Sequence, residues 1–353
     1  MASRRLVLVT GINGYIAAHT AAALLKAGYS VRGTVRARTA NVETLVRKLN
    51  EYHDGGRLEL AEVPDISAEG AFDRAVEGVH TIAHIASPVT TAETDPAPIM
   101  RAAVQGTTSL LSSALAEARK RSGEDALKSV LFMSSISAVF TPNRPAGHVF
   151  TDNDWNDVAE EEVRRLGKSA PGYTSYQASK TAAERAFWEF GKETGAEFAM
   201  TGLCPAPVFG PPLYLPEPIS RLSIRMKEVR DIFEGGPIPD FSPIRSTFID
   251  VRDVAELVLR AFEQHGEQPG ARNRYVLTAQ PPISPQQIAD VLRESFPERR
   301  DKIREGNPGE TYPQMTWTFD SSKAASLLGR EWIGLRQSVV DGVKALLGES
   351  VRI

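Results

Sequence analysis

Short apolar runs alternate with longer amphipathic stretches from the start of the chain to about Cys204. The short runs have the length and apolar character of buried strands. In the longer stretches, apolar residues recur at the spacing of one helix face. The pattern predicts strands at 5–10, 30–35, 58–63, 79–86, 129–134 and 197–203, and helices at 14–27, 42–53, 69–77, 98–121 and 174–194.

This alternation of strands and helices indicates βαβ units and therefore a parallel sheet. Because crossovers between parallel strands are right-handed, successive helices cover both faces of such a sheet. We therefore predict an α/β fold built on a doubly wound parallel sheet.

The character of the chain changes after Cys204. Nine of its 23 prolines lie between Pro205 and Pro243, a density that favours irregular segments. One apolar stripe in this region has helical spacing: Ile219, Leu222, Met226, Val229 and Phe233. The basic residues off this stripe are interpreted as a solvated face: Arg221, Arg225 and Arg230.

Further apolar patterns predict a strand at 247–251 and helices at 252–264, 284–295 and 335–347. The chain is long enough for one large or two modest domains. We predict that 1–205 forms the sheet domain, that 246–279 returns to it, and that 206–353 otherwise forms a smaller C-terminal lobe over its carboxyl edge.

Composition limits the classes of function. The apolar share is 42% and the charged share 24%, as in ordinary soluble globular proteins. A net charge of -3 gives no support for binding nucleic acid or an anionic membrane. The single cysteine excludes an internal disulfide. Because the first predicted strand lies so near the start of the sequence, we expect no signal peptide. We expect a cytoplasmic protein without a metal; a monomer and a homodimer are both compatible with the sequence.

A glycine turn between the first strand and the first helix carries the main binding signal. Such a turn aims backbone N–H groups and the positive helix end at a ligand above it, as dinucleotide pyrophosphates require. Gly11 permits the tight turn, Gly14 allows close approach of phosphates, and Ala17 is small enough for helix–strand packing. The expected cofactor-binding residues of this turn are Gly11, Asn13, Gly14, Tyr15 and Ile16.

The end of the second strand indicates which dinucleotide binds. An acidic residue there accepts hydrogen bonds from the ribose 2′-hydroxyl of NAD, but here Arg36, Ala37 and Arg38 follow, and no carboxylate occurs before Glu43. A guanidinium pairs with a 2′-phosphate through two hydrogen bonds. The sequence therefore favours NADPH, with a solvated basic loop as the alternative reading.

A tyrosine, a lysine and two serines form the candidate catalytic group. The spacing of Tyr176 and Lys180 puts them one turn apart on one helix face, where a nearby ammonium is expected to lower the tyrosine pKa. Ser134 and Ser135 end a buried apolar run, at the sheet edge where ligands of open α/β sheets bind. Because consecutive strand residues face opposite sides, only one serine can point at a given site. The alternative is an exposed Tyr–Lys pair and two capping serines.

Five motifs follow one another in a recognisable order: Thr10-Gly11-x-x-Gly14, Ser134-Ser135, Tyr176-x-x-x-Lys180, Pro205-x-x-Val208-x-Gly210-Pro211 and Phe248-Ile249-Asp250-Val251-x-Asp253-Val254-Ala255. In this order the chain resembles the extended short-chain dehydrogenases/reductases, which have a Rossmann fold. Val63-Pro64-Asp65-Ile66, His84-Ile85-Ala86-Ser87-Pro88 and Arg36 are similar to the dihydroflavonol-reductase-type branch, and most of all to fungal and yeast NADPH-dependent ketone and aldehyde reductases.

The resemblance implies a role for each matching residue. Ser135 would hydrogen-bond the substrate carbonyl, Tyr176 would donate the proton as general acid, and Lys180 would hold the nicotinamide ribose. The resemblance further implies cofactor contacts at Asp65, Ile66, Ala86, Ser87, Pro205 and Val208, and pocket-lining side chains at Ile136, Phe140 and Tyr173. These apolar side chains suggest an alkyl or aryl ketone or aldehyde as substrate. His84 is interpreted as structural, and Arg38 as a substitute for a phosphate-binding lysine of the family.

Two other functions remain open on the same fold. One is a nucleotide-sugar epimerase or dehydratase, although Ile136-Ser137 after Ser135 disfavours dehydration because dehydratases have an acidic residue there. The other is a catalytically silent NADPH-sensing protein. Such proteins commonly lose the tyrosine or the lysine, and this chain keeps both.

Overall fold

A parallel sheet of seven strands forms the centre of the protein. The computed structural model describes residues 5–52, 55–87, 95–239, 247–266, 268–279, 282–311 and 317–353. The strands in chain order are β1 (Leu6–Val9), β2 (Ser30–Val35), β3 (Leu58–Glu62), β4 (Thr81–His84), β5 (Ser129–Met133), β6 (His148–Phe150), β7 (Ala199–Pro205), β8 (Val208–Phe209), β9 (Ile249–Asp250), β10 (Arg272–Leu277) and β11 (Trp317–Phe319).

The order of the central strands is β10-β7-β5-β4-β1-β2-β3, and every neighbouring pair is parallel. The chain lays down β1 to β3 in one direction and then starts again at β4 on the other side of β1. This reversal leaves a crevice at the carboxyl ends of β1 and β4, which is where open α/β sheets bind ligands. The short pairs β6–β11 and β8–β9 lie outside the central sheet.

Helices cover both faces of the sheet. They are α1 (Tyr15–Lys26), α2 (Ala40–Leu49), α3 (Pro96–Ala118), α4 (Asp157–Leu166), α5 (Gly172–Thr194), α6 (Ile224–Phe233), α7 (Val251–His265), α8 (Pro285–Ser295), α9 (Ser322–Leu328) and α10 (Leu335–Leu346). Several begin at a side chain that caps the first turn; Thr39 accepts a hydrogen bond from the Val42 N–H, for example.

The pleat of β1 shows how the two faces are filled. Val7 and Val9 pack in the apolar cluster that includes α1, α2 and α7. Leu8, between them, packs in the opposite cluster with α3 and α5. All three side chains are fully buried, because a strand covered on both faces needs apolar residues at every position. The predicted doubly wound parallel sheet is confirmed.

One predicted helix, 69–77, is wrong. That segment is a series of turns in which Gly70 and Gly78 have φ of 68° and 73°, a conformation that interrupts a helix. Phe72, Ala75 and Val76 are nevertheless buried in the core. These three residues have the spacing of a helix face, which led to the wrong prediction. They are buried because the turns pack in the same apolar cluster as α3.

The sequence pattern also missed several elements, of which β10 matters most for the site. Its sequence, Arg-Asn-Arg-Tyr-Val-Leu, carries two arginines and therefore lacks the apolar pattern of a strand. Arg274 is 8% exposed and is paired with buried Glu184, a partner that no local pattern reveals. The elements α4, β6, β11 and α9 were missed as well.

A third apolar cluster joins the elements that follow the sheet domain. It contains buried side chains of α6, α8 and α10 together with Phe209 and Phe248. The predicted stripe is helical only in part: α6 begins at Ile224, while Ile219 lies in a separate 3₁₀ turn and is 37% exposed. Pro243 and other residues of 240–246 lie outside the described residues.

Candidate active site

A pocket of about 1410 Å³ opens at the carboxyl ends of the central strands. It brings together residues predicted from distant parts of the sequence. Its lining includes Gly11, Asn13, Gly14, Tyr15, Ile16, Arg36, Asp65, Ile66, Ala86, Ser87, Ser135, Ile136, Tyr173, Tyr176, Lys180, Pro205 and Val208.

The glycine turn forms one wall of this pocket. Gly11 has φ of 64°, and a Cβ placed on it would lie 3.1 Å from the Ala86 Cβ. Both facts require glycine there. Gly14 is the N-cap of α1 and provides no side chain to cap it. The first N–H groups of α1 therefore have no side-chain acceptor, and they border the pocket where a pyrophosphate would need donors.

Thr10 joins the glycine turn to the end of β4. Its hydroxyl oxygen accepts hydrogen bonds from the N–H groups of Ile85 and Ala86, both at 2.9 Å. The hydroxyl hydrogen is then available to His84 Nδ1, 3.0 Å away. His84 is buried, and burial lowers its pKa to about 3. A neutral imidazole in this position supports the loop that carries Ala86 and Ser87, in agreement with the structural interpretation of His84.

The far end of the pocket carries Arg36 and Asp65. The Arg36 side chain is exposed and, among the residues described, has no carboxylate within ion-pair distance. Arg38 lies 3.6 Å from Glu62 in an exposed ion pair and is absent from the described lining of the pocket. The Asp65 carboxylate accepts hydrogen bonds from the Ser67 hydroxyl and N–H at 2.6 and 2.8 Å. These bonds lower the pKa of Asp65.

Ser135, Tyr176 and Lys180 meet at the middle of the pocket. Ser135 is the second residue after β5. Its Oγ accepts a hydrogen bond of 3.1 Å from the Ser137 N–H. The Ser135 side chain lies near Tyr176 and lowers the pKa of its phenol. Tyr176 and Lys180 both project from α5, with Lys180 one turn further along and 6% exposed. Ser135 and Lys180 are 45 positions apart in the sequence, yet they line the same pocket together with Tyr176.

Burial dominates the electrostatics of this group. It raises the pKa of Tyr176, and the nearby Ser135 side chain lowers that pKa only in part. The expectation of a tyrosine pKa depressed by Lys180 is therefore wrong for this structure, because desolvation is the larger effect. Burial likewise lowers the pKa of Lys180 to about 8, although nearby Glu184 favours the charged form.

Glu184 lies one further turn along α5, beneath Lys180, and is fully buried. Arg274 donates to its two oxygens at 2.6 and 3.1 Å, and Ser134 Oγ donates to Oε2 at 2.6 Å. Trp188 Nε1 donates at 3.2 Å. This arrangement satisfies a carboxylate that would otherwise be very unfavourable inside the protein. It also occupies the Ser134 hydroxyl, which leaves Ser135 as the serine whose hydroxyl meets Tyr176.

Two of the three predicted substrate-pocket residues border the pocket, and the third does not. Ile136 is buried beside Ser135, and the ring of Tyr173, 41% exposed, stacks on Tyr176 with centroids 6.4 Å apart. Phe140 is absent from the described lining of the pocket, so the prediction that it lines the substrate pocket is wrong. Its ring packs against Trp317 at 4.5 Å and Phe150 at 5.3 Å, because the 3₁₀ turn after Ser135 directs it into the core.

The sequence reasoning missed three lining residues at the start of α6 and in the 3₁₀ turn before it: Arg221, Ile224 and Arg225. The interpretation of Arg225 as part of a solvated face is wrong. Its side chain is 9% exposed, is paired with Glu228 and lies over the Phe209 ring at 6.0 Å. Helical spacing marks these positions only as off the apolar stripe. It does not reveal that the start of α6 borders the pocket.

Within the described part of the chain, no group of three or more His, Cys, Asp or Glu could hold a metal ion. No helix described there is both long and apolar enough to cross a membrane. The one cysteine, Cys204, is buried, and burial raises the pKa of its thiol. A reactive thiolate is therefore disfavoured at this position.

Comparisons with known proteins identify the family of the chain and its relatives. A model of the NAD dependent epimerase/dehydratase family matches residues 7–276. The ketoreductase azaE of Aspergillus niger is 31% identical, over 98% of this chain and 98% of its own. The NADPH-dependent methylglyoxal reductase GRE2 of Saccharomyces cerevisiae is 29% identical, over 98% of this chain and 99% of its own. The structure of Gre2 from Candida albicans in complex with NADPH superposes with a TM-score of 0.84 at 28% identity, covering 98% of this chain and 99% of that one.

Proposed function

The chain belongs to the NAD dependent epimerase/dehydratase family, and within it we propose an NADPH-dependent carbonyl reductase that converts a ketone or an aldehyde into an alcohol. One observation carries the proposal. The side chains of Ser135, Tyr176 and Lys180 line the same pocket as the glycine turn and Arg36, and Ser135 lies near enough to Tyr176 to lower the pKa of the phenol. The full-length similarity to NADPH-dependent reductases supports both the cofactor and the reaction.

The pocket residues fit a phosphorylated dinucleotide. The N–H groups at the start of α1 would hold the pyrophosphate, and Arg36 would pair with the 2′-phosphate, where an acidic residue would repel it. Adenine would lie at Asp65 and Ile66, the central part of the cofactor at Ala86 and Ser87, and nicotinamide beside Pro205 and Val208. When bound, NADPH supplies the hydride for the carbonyl carbon.

The protein's own groups handle the carbonyl oxygen. Ser135 Oγ already accepts a hydrogen bond from the Ser137 N–H, so its hydrogen is free to be donated to that oxygen. Tyr176 has a raised pKa and is therefore a protonated phenol at neutral pH, as a general acid must be. Lys180, charged below its pKa of about 8, stabilises the phenolate that remains after proton transfer.

The substrate end favours an apolar carbonyl compound. Ile136 follows Ser135 in the chain, and the Tyr173 ring stacks on Tyr176; both line the pocket, and their side chains offer hydrocarbon and ring surface rather than charge. Alkyl or aryl ketones and aldehydes match this lining. Tyr173 and Ile136 are proposed as the residues that contact the organic group of the substrate.

A direct assay distinguishes this function from an epimerase on the same fold. Purified protein is mixed with NADPH and, in turn, an aryl ketone, a β-ketoester, a 2-oxoaldehyde and an aliphatic aldehyde, while absorbance of the reduced nicotinamide is followed. A reductase consumes NADPH in proportion to the alcohol formed. Interconversion of nucleotide sugars without net consumption of reduced cofactor would contradict the proposal, and so would binding of NADPH without turnover of any carbonyl.

We further propose that 1–205 and 246–279 form the cofactor-binding domain, with 206–353 otherwise the substrate-binding lobe. The separate apolar cluster of α6, α8 and α10 supports this division. A cytoplasmic location is proposed on the single buried cysteine, which suits a reducing compartment.

A further inference from the structure

A second guanidinium besides Arg36 faces the pocket, and it comes from the C-terminal lobe. Arg221 lies in the 3₁₀ turn Ile219–Arg221 just before α6, and its exposed side chain lines the pocket. Over the described residues, no carboxylate lies within ion-pair distance of it. Arg225, one turn later, differs in this respect because Glu228 already matches its charge.

The segment 210–217 holds Arg221 close to the glycine turn. Tyr15 donates a hydrogen bond of 2.6 Å to the Gly210 carbonyl, and Tyr214 donates one of 2.8 Å to the Asn13 carbonyl. The backbone of Glu217 exchanges two hydrogen bonds with the Asn41 side chain, at 2.7 and 2.8 Å. The segment thus runs from the start of α1 to the start of α2, across the phosphate side of the pocket.

The electrostatics of Tyr214 agree with this placement. Burial raises the pKa of Tyr214, and the positive charge of Arg221 lowers it in part. The Tyr214 hydroxyl donates to the Asn13 carbonyl within the glycine turn, and Arg221 lines the same pocket as that turn.

We propose that Arg221 binds the pyrophosphate of the dinucleotide, a contact that the C-terminal lobe adds to the glycine turn. This inference rests on the proposed dinucleotide-binding function. A pyrophosphate carries full negative charge, whereas the start of α1 offers backbone donors and only about half a unit of positive charge. A guanidinium that has no carboxylate partner among the described residues completes the site at this point through charge-assisted hydrogen bonds.

The proposal assigns different parts of the cofactor to the two arginines. Arg221 contacts a group common to NADH and NADPH, while Arg36 contacts the 2′-phosphate alone. Dissociation constants are measured by fluorescence quenching for NADPH, NADH and 2′-AMP, which has the 2′-phosphate but no pyrophosphate. The variants are Arg221→Gln, Arg36→Gln and, as a matched control from the same region, Arg230→Gln on α6, which is absent from the described pocket lining.

Arg221→Gln should weaken NADPH and NADH by the same factor, about tenfold for an exposed charge-assisted contact, and should leave 2′-AMP unchanged. Arg36→Gln should weaken NADPH and 2′-AMP but not NADH, and Arg230→Gln should bind all three as the parent does. Unchanged NADPH binding by Arg221→Gln would overturn the proposal, as would a loss that extends to 2′-AMP. If the parent protein binds no dinucleotide, the proposed function itself fails, which is a separate result.

Discussion

Ser134 and Ser135 are adjacent in the chain, yet their hydroxyl groups bind to different partners on opposite sides of the backbone. Ser134 Oγ donates to buried Glu184 at 2.6 Å, whereas Ser135 Oγ accepts from the Ser137 N–H at 3.1 Å and lies near Tyr176, whose pKa it lowers. The pleat of a strand end separates the two. Both serines border the pocket, but the Ser134 hydroxyl is held by Glu184 of α5, whereas the Ser135 hydroxyl is on the side of Tyr176.

This difference predicts opposite effects of two alanine substitutions. Ser135→Ala should lower kcat for carbonyl reduction by roughly 100-fold, as loss of one oxyanion donor does, with little change in melting temperature. Ser134→Ala leaves a buried carboxylate with one donor fewer, so it should lower the free energy of unfolding by about 1–3 kcal/mol with a small change in kcat. Steady-state kinetics and urea unfolding of both variants test this; the reverse order would mean that Ser134 is the catalytic hydroxyl.

Tyr176→Phe should remove the proton donor while keeping the ring that stacks on Tyr173. We expect kcat to fall by about 10²–10⁴-fold, the usual contribution of a general acid, with the dissociation constant of NADPH nearly unchanged. Cofactor titration and turnover are measured on the same preparation. Undiminished turnover would exclude Tyr176 as the acid, whatever its position in the pocket.

The pKa of Lys180 predicts an alkaline limit to activity. Because its folded-state pKa is lowered to about 8, kcat/KM for NADPH, which reports ionisations of the free protein, should decrease as pH rises through about 8. In Lys180→Arg the group stays protonated throughout, so the decrease should move to much higher pH even if the maximum is lower. A decrease at the same pH in both proteins would assign it to another group.

Buried His19 predicts a loss of stability in acid. Its Nε2 donates to the Pro211 carbonyl at 2.8 Å, and burial lowers its pKa to about 4. In the unfolded chain the pKa of His19 is about 6.5, so below that pH the unfolded chain binds a proton that the folded protein does not. The stability that neutral His19 contributes is therefore fully present above about pH 6.5 and is lost as the pH falls toward about 4. When the pH falls from about 7 to about 4.5, the free energy of unfolding should decrease in both proteins. The decrease should be about 2–3 kcal/mol smaller in His19→Gln than in the parent.

Urea unfolding at the two pH values provides the comparison for His19. Glutamine keeps a donor for Pro211 but does not titrate, so the parent and the variant differ chiefly in proton uptake. Equal losses of stability in the two proteins would show that other groups, such as His84, account for the acid sensitivity.

Phe140 and Tyr173 should respond in opposite ways to truncation. Phe140 is 7% exposed among aromatic rings, so Phe140→Ala should destabilise the protein by about 3–5 kcal/mol. Tyr173→Ala removes a half-exposed ring at the pocket, so it should chiefly raise KM for aryl ketones. Kinetics with an aryl ketone and with a small aliphatic aldehyde, together with unfolding curves, measure both effects. A large KM effect from Phe140→Ala without destabilisation would restore its predicted place in the pocket.

Local patterns were sufficient for the part of the site built from neighbouring residues. The glycine turn follows from β1, Gly11 and the start of α1, because strand, turn and helix are consecutive in the chain. The spacing of Tyr176 and Lys180 likewise placed both on one face of α5. The central strands were recognisable because burial on both faces leaves nearly continuous apolar runs.

The amino-acid sequence by itself determined the doubly wound sheet, the glycine turn and the residue types of the catalytic group, since each depends on interactions within a few positions. Only the tertiary structure decided which serine meets Tyr176, that Phe140 packs in the core, and that Arg221 and Arg225 border the pocket. These outcomes depend on partners far away in the chain, such as Glu184 for Ser134 and Arg274, or Trp317 for Phe140. Local periodicity reports which side of an element is apolar, but not which distant element packs against it.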